Sequence, residues 1–342
     1  MRQEERTQRD VESLIRTIGP GPWPTTALLD AGWTHRRVRR AIEAGRLQRL
    51  ARGVLRVGSG SAADGSQALT ARVTAALLRA PRGAVVSHTT ACQATALWLP
   101  RAVRMDQEPI HLTCPGTHGR SRAGLLVHGS PLTCDEVVHV GRVPLTSPAR
   151  TAVDVARGRS LSDALICLDS AARRLSARTT WSGEFRDLAR RGAATAQARE
   201  ELAEVLSRQR GWPGVAVVRE ALALLDVGSE SPLESWSRGE IVRAGLPQPA
   251  IGRAVQGASG RWYVVDFLWG EAGVIGEADG FGKYGTDPIE VADRLAAERE
   301  RQRDLEAAGY VVLRWDWREP SAAWTARIAG ALGLALPART AR

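Results

Sequence analysis

The chain has 342 residues, 44% hydrophobic and 25% charged, with a formal charge of +10. That composition suits a globular protein of two or three domains and excludes a disordered chain. No stretch approaches the ~18 consecutive apolar residues of a membrane span. The opening "MRQEERTQRDVESLIRTIG" carries charges where a secretory signal has its apolar core, so a cytoplasmic protein away from membranes is expected.

Lys283 is the sole lysine among 47 basic residues. Arginine keeps its charge at any relevant pH and forks onto phosphate or a guanine edge, so a polyanionic partner is physically reasonable. A GC-rich genome raises arginine in the same way. Cys92, Cys114, Cys134 and Cys167 form no CxxC pair. They read as small buried residues in a reducing compartment.

Residues 1–58 predict a winged helix-turn-helix. Thr25 or Thr26 can cap a short helix that Gly32 ends, and Thr34 can cap a second, with Val38 and Ile42 on one face and Gly45 as its stop. Leu47 to Val57 then alternate around Gly53, the pattern of a small hairpin. Arg36, Arg37, Arg39 and Arg40 crowd the second helix, and Arg49 and Arg52 continue into the wing. These are the candidate contacts to double-stranded DNA, where guanidiniums meet phosphates and groove edges. A solvated face of an arginine-rich protein is the alternative.

A Gly/Ser/Ala/Asp linker at 58–66 leads to a small mixed α/β domain at 67–158. Helices are expected over 67–80, 87–100 (capped at Ser87) and 147–158, and strands over 109–114, 124–129 and 136–146. His88, His111, His128 and His139 are scattered through it, and their spacing makes no metal set.

"WTHRRVRRAIEAGRLQRLARGVLRV", "AVVSHTTACQATALW" and "VPLTSPARTAVDVARG" together resemble actinobacterial proteins with an AbiEi-type antitoxin N-terminal domain, over about residues 20–158. The resemblance implies a winged helix followed by a small α/β domain, DNA binding, and a possible cognate toxin of a type IV toxin–antitoxin pair.

Residues 159–227 read as a helical connector, with helices over 161–175, 181–192, 195–209 and 213–226, Pro213 suiting a first turn. The last domain, 228–335, carries the candidate chemistry. Ser231, Pro232 and Glu234 have the spacing of a helix N-terminus with a capping box. Glu234 is either that cap or a third acid reaching toward the carboxylates that follow. Three strands are expected over 248–256, 260–270 and 271–280, then a helix (287–308) with Arg294, Arg301 and Arg303, a strand (309–317) and a closing helix (322–332). Trp262, Trp269, Trp315 and Trp317 alternate with strand residues and read as core.

The second strand delivers Asp266. The third delivers Glu277, with Asp279 at the same phase of the alternation. Carboxylates converging at strand ends repel unless protonated, paired with a base or bridged by a cation. Mg²⁺ or Mn²⁺ takes such oxygen ligands.

"SPLESWSRGEIVRAGLPQP", "WYVVDFLWGEAGVIGEADG" and "RDLEAAGYVVLRWDW" resemble the very-short-patch-repair-endonuclease-like branch of the PD-(D/E)xK nucleases, over about residues 229–335. The resemblance implies a restriction-endonuclease-like core in an α/β (α+β overall) chain, with Asp266 and Glu277 as metal ligands and Glu234 as the helix acid. The general motif has lysine two residues after the third-strand acid. This chain has Asp279 there, as a further ligand or a group that orients the water, and Lys283 four residues further on, where it or an arginine of the next helix would offset the charge on the scissile phosphate.

Overall fold

A computed structural model describes residues 2–19, 21–58, 65–104, 108–122, 124–177, 188–279 and 288–335. The described residues form twelve α-helices and thirteen strands, an α/β fold overall. The chain divides into two compact units, residues 1–94 with 104–147 and residues 95–103 with 148–342.

The first unit begins with α1 (Arg2–Ile18), β1 (Trp23–Pro24), α2 (Thr25–Asp30), α3 (His35–Glu43), β2 (Leu47–Ala51) and β3 (Val54–Val57). The charged opening stretch is therefore a helix. Its Val11 and Leu14 join Leu28, Val38, Leu47 and Leu55 in one core. Thr34 caps α3 by accepting the Arg37 N–H at 3.2 Å. The expected cap on the preceding helix is absent: Thr25 is already helical, and Pro24 at the cap position makes no side-chain bond. β2 and β3 form the antiparallel hairpin, with β1 on its other edge.

The unit continues with α4 (Gly65–Leu77), β4 (Val85–Val86), α5 (His88–Ala94), β5 (Ile110–Thr113), β6 (Arg120–Arg122), β7 (Leu125–His128), β8 (Val137–Val140) and β9 (Val143–Thr146). Its six-stranded sheet runs β6-β7-β5-β4-β9-β8. The helix expected over 87–100 stops at Ala94, because Ala96 takes φ +54°, outside helical space. Cys92, Cys114 and Cys167 are buried, whereas Cys134 is exposed, against expectation.

The second unit contains α6 (Pro148–Ala156), α7 (Leu161–Ser176), α8 (Leu188–Ser207), α9 (Val215–Ala223), α10 (Pro232–Arg243), β10 (Ala250–Gln256), β11 (Trp262–Trp269), β12 (Val274–Ala278), α11 (Pro288–Ala307), β13 (Val311–Trp315) and α12 (Ser321–Ala331). α8 runs unbroken through Gly192, where the sequence suggests a break, and the start of the helix expected at 181–192 lies outside the described residues. Pro213 precedes its helix instead of opening it, since Gly214 at φ +81° holds the cap position. The sheet runs β10-β11-β12-β13, antiparallel except for the parallel β12–β13 pair, whose connection is α11.

Aromatic stacking fixes one face of this sheet. Phe267, Trp315 and Trp324 stack with centroids 5.5 and 4.7 Å apart, and Trp315 donates its indole N–H to Ser237 Oγ at 2.8 Å. Trp269 and Trp315 are core, but Trp262 is 65% exposed. The Trp315 ring lies on Gly276: a Cβ built there would sit 2.6 Å from it. We expect Gly276→Ala to cost about 1–3 kcal/mol through overpacking. Urea denaturation checks this, and an unchanged midpoint would refute it.

Candidate active site

The β10–β11 ladder keeps one register throughout but has no pair at Gly252 and Asp266, where Gly252 takes φ +55°. The β11–β12 ladder ends at Phe267↔Gly276, and beyond it Asp266 Oδ2 accepts the Ala278 N–H at 2.8 Å. Asp266 is thereby fixed beside the strand that carries Glu277.

Glu277 is 5% exposed and Glu234 4%. Glu234 stands in the first turn of α10, its N–H donating to the Ser231 cap at 3.2 Å. Its carboxylate accepts the Glu230 N–H at 2.6 Å, one residue before the donor that a capping box would use. Burial pushes the Glu234 carboxyl up to about 7, and the charge of Asp266 adds to the effect. Glu277 is pushed up to about 7 by the same two causes, with Arg301 opposing them. Asp266 is thus the common electrostatic neighbour of both glutamates, which links the three acids into one interacting cluster of charge.

Two arginines border that cluster. Arg301 on α11 donates Nη2 to Glu277 Oε1 at 2.7 Å and to the Val264 carbonyl at 2.8 Å, and Nη1 to Glu298 at 3.0 Å. Arg314 on β13 pairs with the same Glu298 and donates to Asp279 Oδ2 at 2.9 Å. Asp279 therefore answers Arg314, while Glu277 answers Arg301. The sequence alone places Arg301 on its helix without a partner and assigns Arg314 no role. Lys283 lies outside the described residues, as does the side chain of Arg294 on α11.

In the first unit, Arg36, Arg39, Arg40, Arg49 and Arg52 are exposed. Arg37 is different. Its Nε donates to Asp10 at 3.0 Å and its guanidinium lies 4.6 Å from the Trp33 ring centroid, so it ties α3 to α1. The histidines depart most from expectation: His88, His111 and His128 meet, their ligand atoms within 4.8 Å of one another.

A carboxyl whose folded pKa is raised binds more protons folded than unfolded. It therefore costs stability as pH rises from about 4.5 through about 7. Buried Asp169, also raised, adds the same sign, whereas Asp226 and Glu298 are lowered and act only below the ordinary carboxylate range. Without divalent ions, the Tm should fall between pH 5 and 8, and Glu277→Gln should flatten that fall. An identical slope in the variant would contradict the assignment.

No known family's profile matches the chain. Over 226 residues it is 29% identical to the uncharacterized proteins MT2308 and Rv2248 from two strains of Mycobacterium tuberculosis, covering 66% of this chain and 73% of theirs. The crystal structure of the RV2827C protein from the same organism aligns with a TM-score of 0.40 at 16% identity, over 73% of this chain and 88% of that one.

Proposed function

We propose that the chain is a DNA-directed protein whose second unit hydrolyses phosphodiester bonds with a divalent metal ion, as an endonuclease, and whose N-terminal winged helix holds double-stranded DNA. The observation that carries this reading is the placement of Asp266, whose carboxylate accepts the Ala278 N–H beside Glu277 and whose charge, together with burial, pushes Glu277 and Glu234 up to about 7. The donor set fits a hard cation, since it offers carboxylate oxygens and no imidazole or thiolate.

Asp266 and Glu277 would hold Mg²⁺ or Mn²⁺. When bound, such an ion supplies Lewis acidity toward a phosphate oxygen and acidifies water. The chain's own residues do the rest. The Ala278 N–H orients the Asp266 carboxylate. Glu234, a carboxyl raised by burial and by the charge of Asp266, would accept a proton from water. Arg301 keeps a fixed positive charge 2.7 Å from Glu277, near where charge would grow on a phosphate. It takes the charge-neutralising part that the sequence suggests for Lys283. Arg36, Arg39, Arg40, Arg49 and Arg52 supply the exposed positive face for the duplex.

One observation favours a second reading. Arg301 and Arg314 already satisfy Glu277, Glu298 and Asp279 within the protein. The same cluster can therefore stand without metal, as the ion-paired core of a non-enzymatic DNA-binding regulator or of a type IV antitoxin with a cognate toxin.

Plasmid and oligonucleotide cleavage with Mg²⁺ or Mn²⁺ separates the two. The first reading expects metal-dependent nicking that Asp266→Ala or Glu277→Ala reduces at least ~100-fold, about 2.7 kcal/mol of transition-state stabilisation. Equal rates in wild type and variants would leave the regulator. Neutralising Arg36, Arg39 and Arg40 together should weaken duplex binding and flatten its dependence on log[salt] by about 0.9 for each phosphate left without its arginine. An unchanged slope would remove that face from the interface. Arg37→Ala should instead loosen α1 and lower Tm, because its guanidinium is engaged by Asp10.

A further inference from the structure

The first unit carries a second cluster of ligating groups, independent of the carboxylates. His111 lies on β5 and His128 ends β7, two strands paired in parallel. The register sets His111 opposite Leu126, so His128, two residues on, shares its face. His88 follows β4 and takes φ +51° at the start of α5. That left-handed conformation is costly for a residue with a Cβ, and it persists only where the surroundings hold it.

Here it brings the His88 ring onto that of His128, with centroids 3.7 Å apart and planes 14° from parallel. His111 completes the group at centroid distances of 5.5 and 5.2 Å. Its Nδ1 lies 3.0 Å from His128 Nε2, close to the ~3.3 Å between two nitrogens that share a tetrahedral zinc at about 2.0–2.1 Å.

The other nitrogen of His111 faces a carboxylate. Nε2 is 3.3 Å from Glu108 Oε1, an ion-pair distance without hydrogen-bond geometry, and that oxygen accepts from Thr89 Oγ1 at 2.9 Å. A carboxylate hydrogen-bonded behind an imidazole fixes its tautomer and leaves the opposite nitrogen's lone pair for metal, and Glu108 stands where a small approach makes that bond. His88 Nδ1 has the Ser87 hydroxyl at 3.0 Å.

We propose that His88, His111 and His128 form a site for a zinc-class divalent ion, with Glu108 orienting His111. Three imidazole nitrogens match zinc and its neighbours in the transition series and not Mg²⁺ or Ca²⁺, which take oxygen. Three protein ligands leave a fourth position for water or a small anion, the open form of a zinc centre. The widest ligand separation, 4.8 Å, must close by roughly 1.5 Å, and the His88 ring must turn off the face of His128, because imidazole lone pairs lie in the ring plane.

The test uses the full chain, stripped with a chelator and titrated with Zn²⁺ against a chromophoric competitor, then with Co²⁺ followed by its visible absorption. We expect one equivalent bound and the absorption of a tetrahedral nitrogen site. His111→Gln and His128→Gln should each abolish it, and Glu108→Gln should weaken it about 10–100-fold. Asp266→Ala should leave it unchanged, which separates this site from the carboxylate cluster. If a β-strand variant misfolds by circular dichroism, His88→Gln, outside the strands, carries the comparison. Failure of the wild type to compete for Zn²⁺, or unchanged binding in a folded histidine variant, would overturn the proposal.

Discussion

Like charges cannot be gathered out of water without something to offset them, and the second unit is arranged around that constraint. Glu234, Asp266 and Glu277 come from α10, β11 and β12, and two of the three hold protons far above their usual range. Arg301 and Arg314 reach in from α11 and β13, so every element of the sheet's C-terminal half contributes a charge of one sign or the other. Removing one partner of a buried pair is strongly destabilising, by about 3–5 kcal/mol, since the other charge is left uncompensated. Arg301 thus holds Glu277, and Arg314 holds Asp279, whether or not a cation joins them.

A second set of buried ion pairs anchors the helices to this frame. Asp169 on α7 accepts from Arg238 on α10 at 2.7 Å, and burial raises its carboxyl even against that charge. Arg191 on α8 grips Asp226 with two nitrogens, at 2.7 and 2.6 Å, and donates to the Ile251 carbonyl of β10 at 2.6 Å. Where α7 and α10 touch most closely, Gly239 is required, because a Cβ there would sit 2.4 Å from the Ser162 backbone. The stretch whose sequence reads as a plain connector is therefore built into the support of α10, and so of Glu234.

Asp266 and Glu277 are legible in the sequence because each is an acid set into an apolar run of one of two adjacent strands. Glu234 is legible through its cap, although its carboxylate takes the Glu230 N–H and not the expected one. Arg314 is not legible: "VVLRW" reads as an ordinary strand, and only the parallel register Glu277↔Arg314 gives the arginine its partners. The histidine cluster is hidden for the same reason. His88, His111 and His128 have no metal-like spacing, and it takes the β5–β7 register and one left-handed backbone to join them. Local pattern reveals residues on one element or in one hairpin, but contacts between distant strands depend on a register that pattern does not carry.

The parallel pairing of β12 with β13 also sets an order of assembly. Antiparallel neighbours such as β10 and β11 close through a short turn, whereas β13 meets β12 only after all of α11 has been made. On the ribosome the acids of β11 and β12 therefore emerge first, hydrated and without counter-charge. Arg301 and then Arg314 follow them, and with β13 comes the carbonyl of Trp315 that receives the Asp279 N–H. The final strand thus completes the sheet and brings Arg314 to Asp279 and Glu298 in one step. A nascent chain halted before β13 would hold these carboxylates open to water, chemically unlike those of the finished protein.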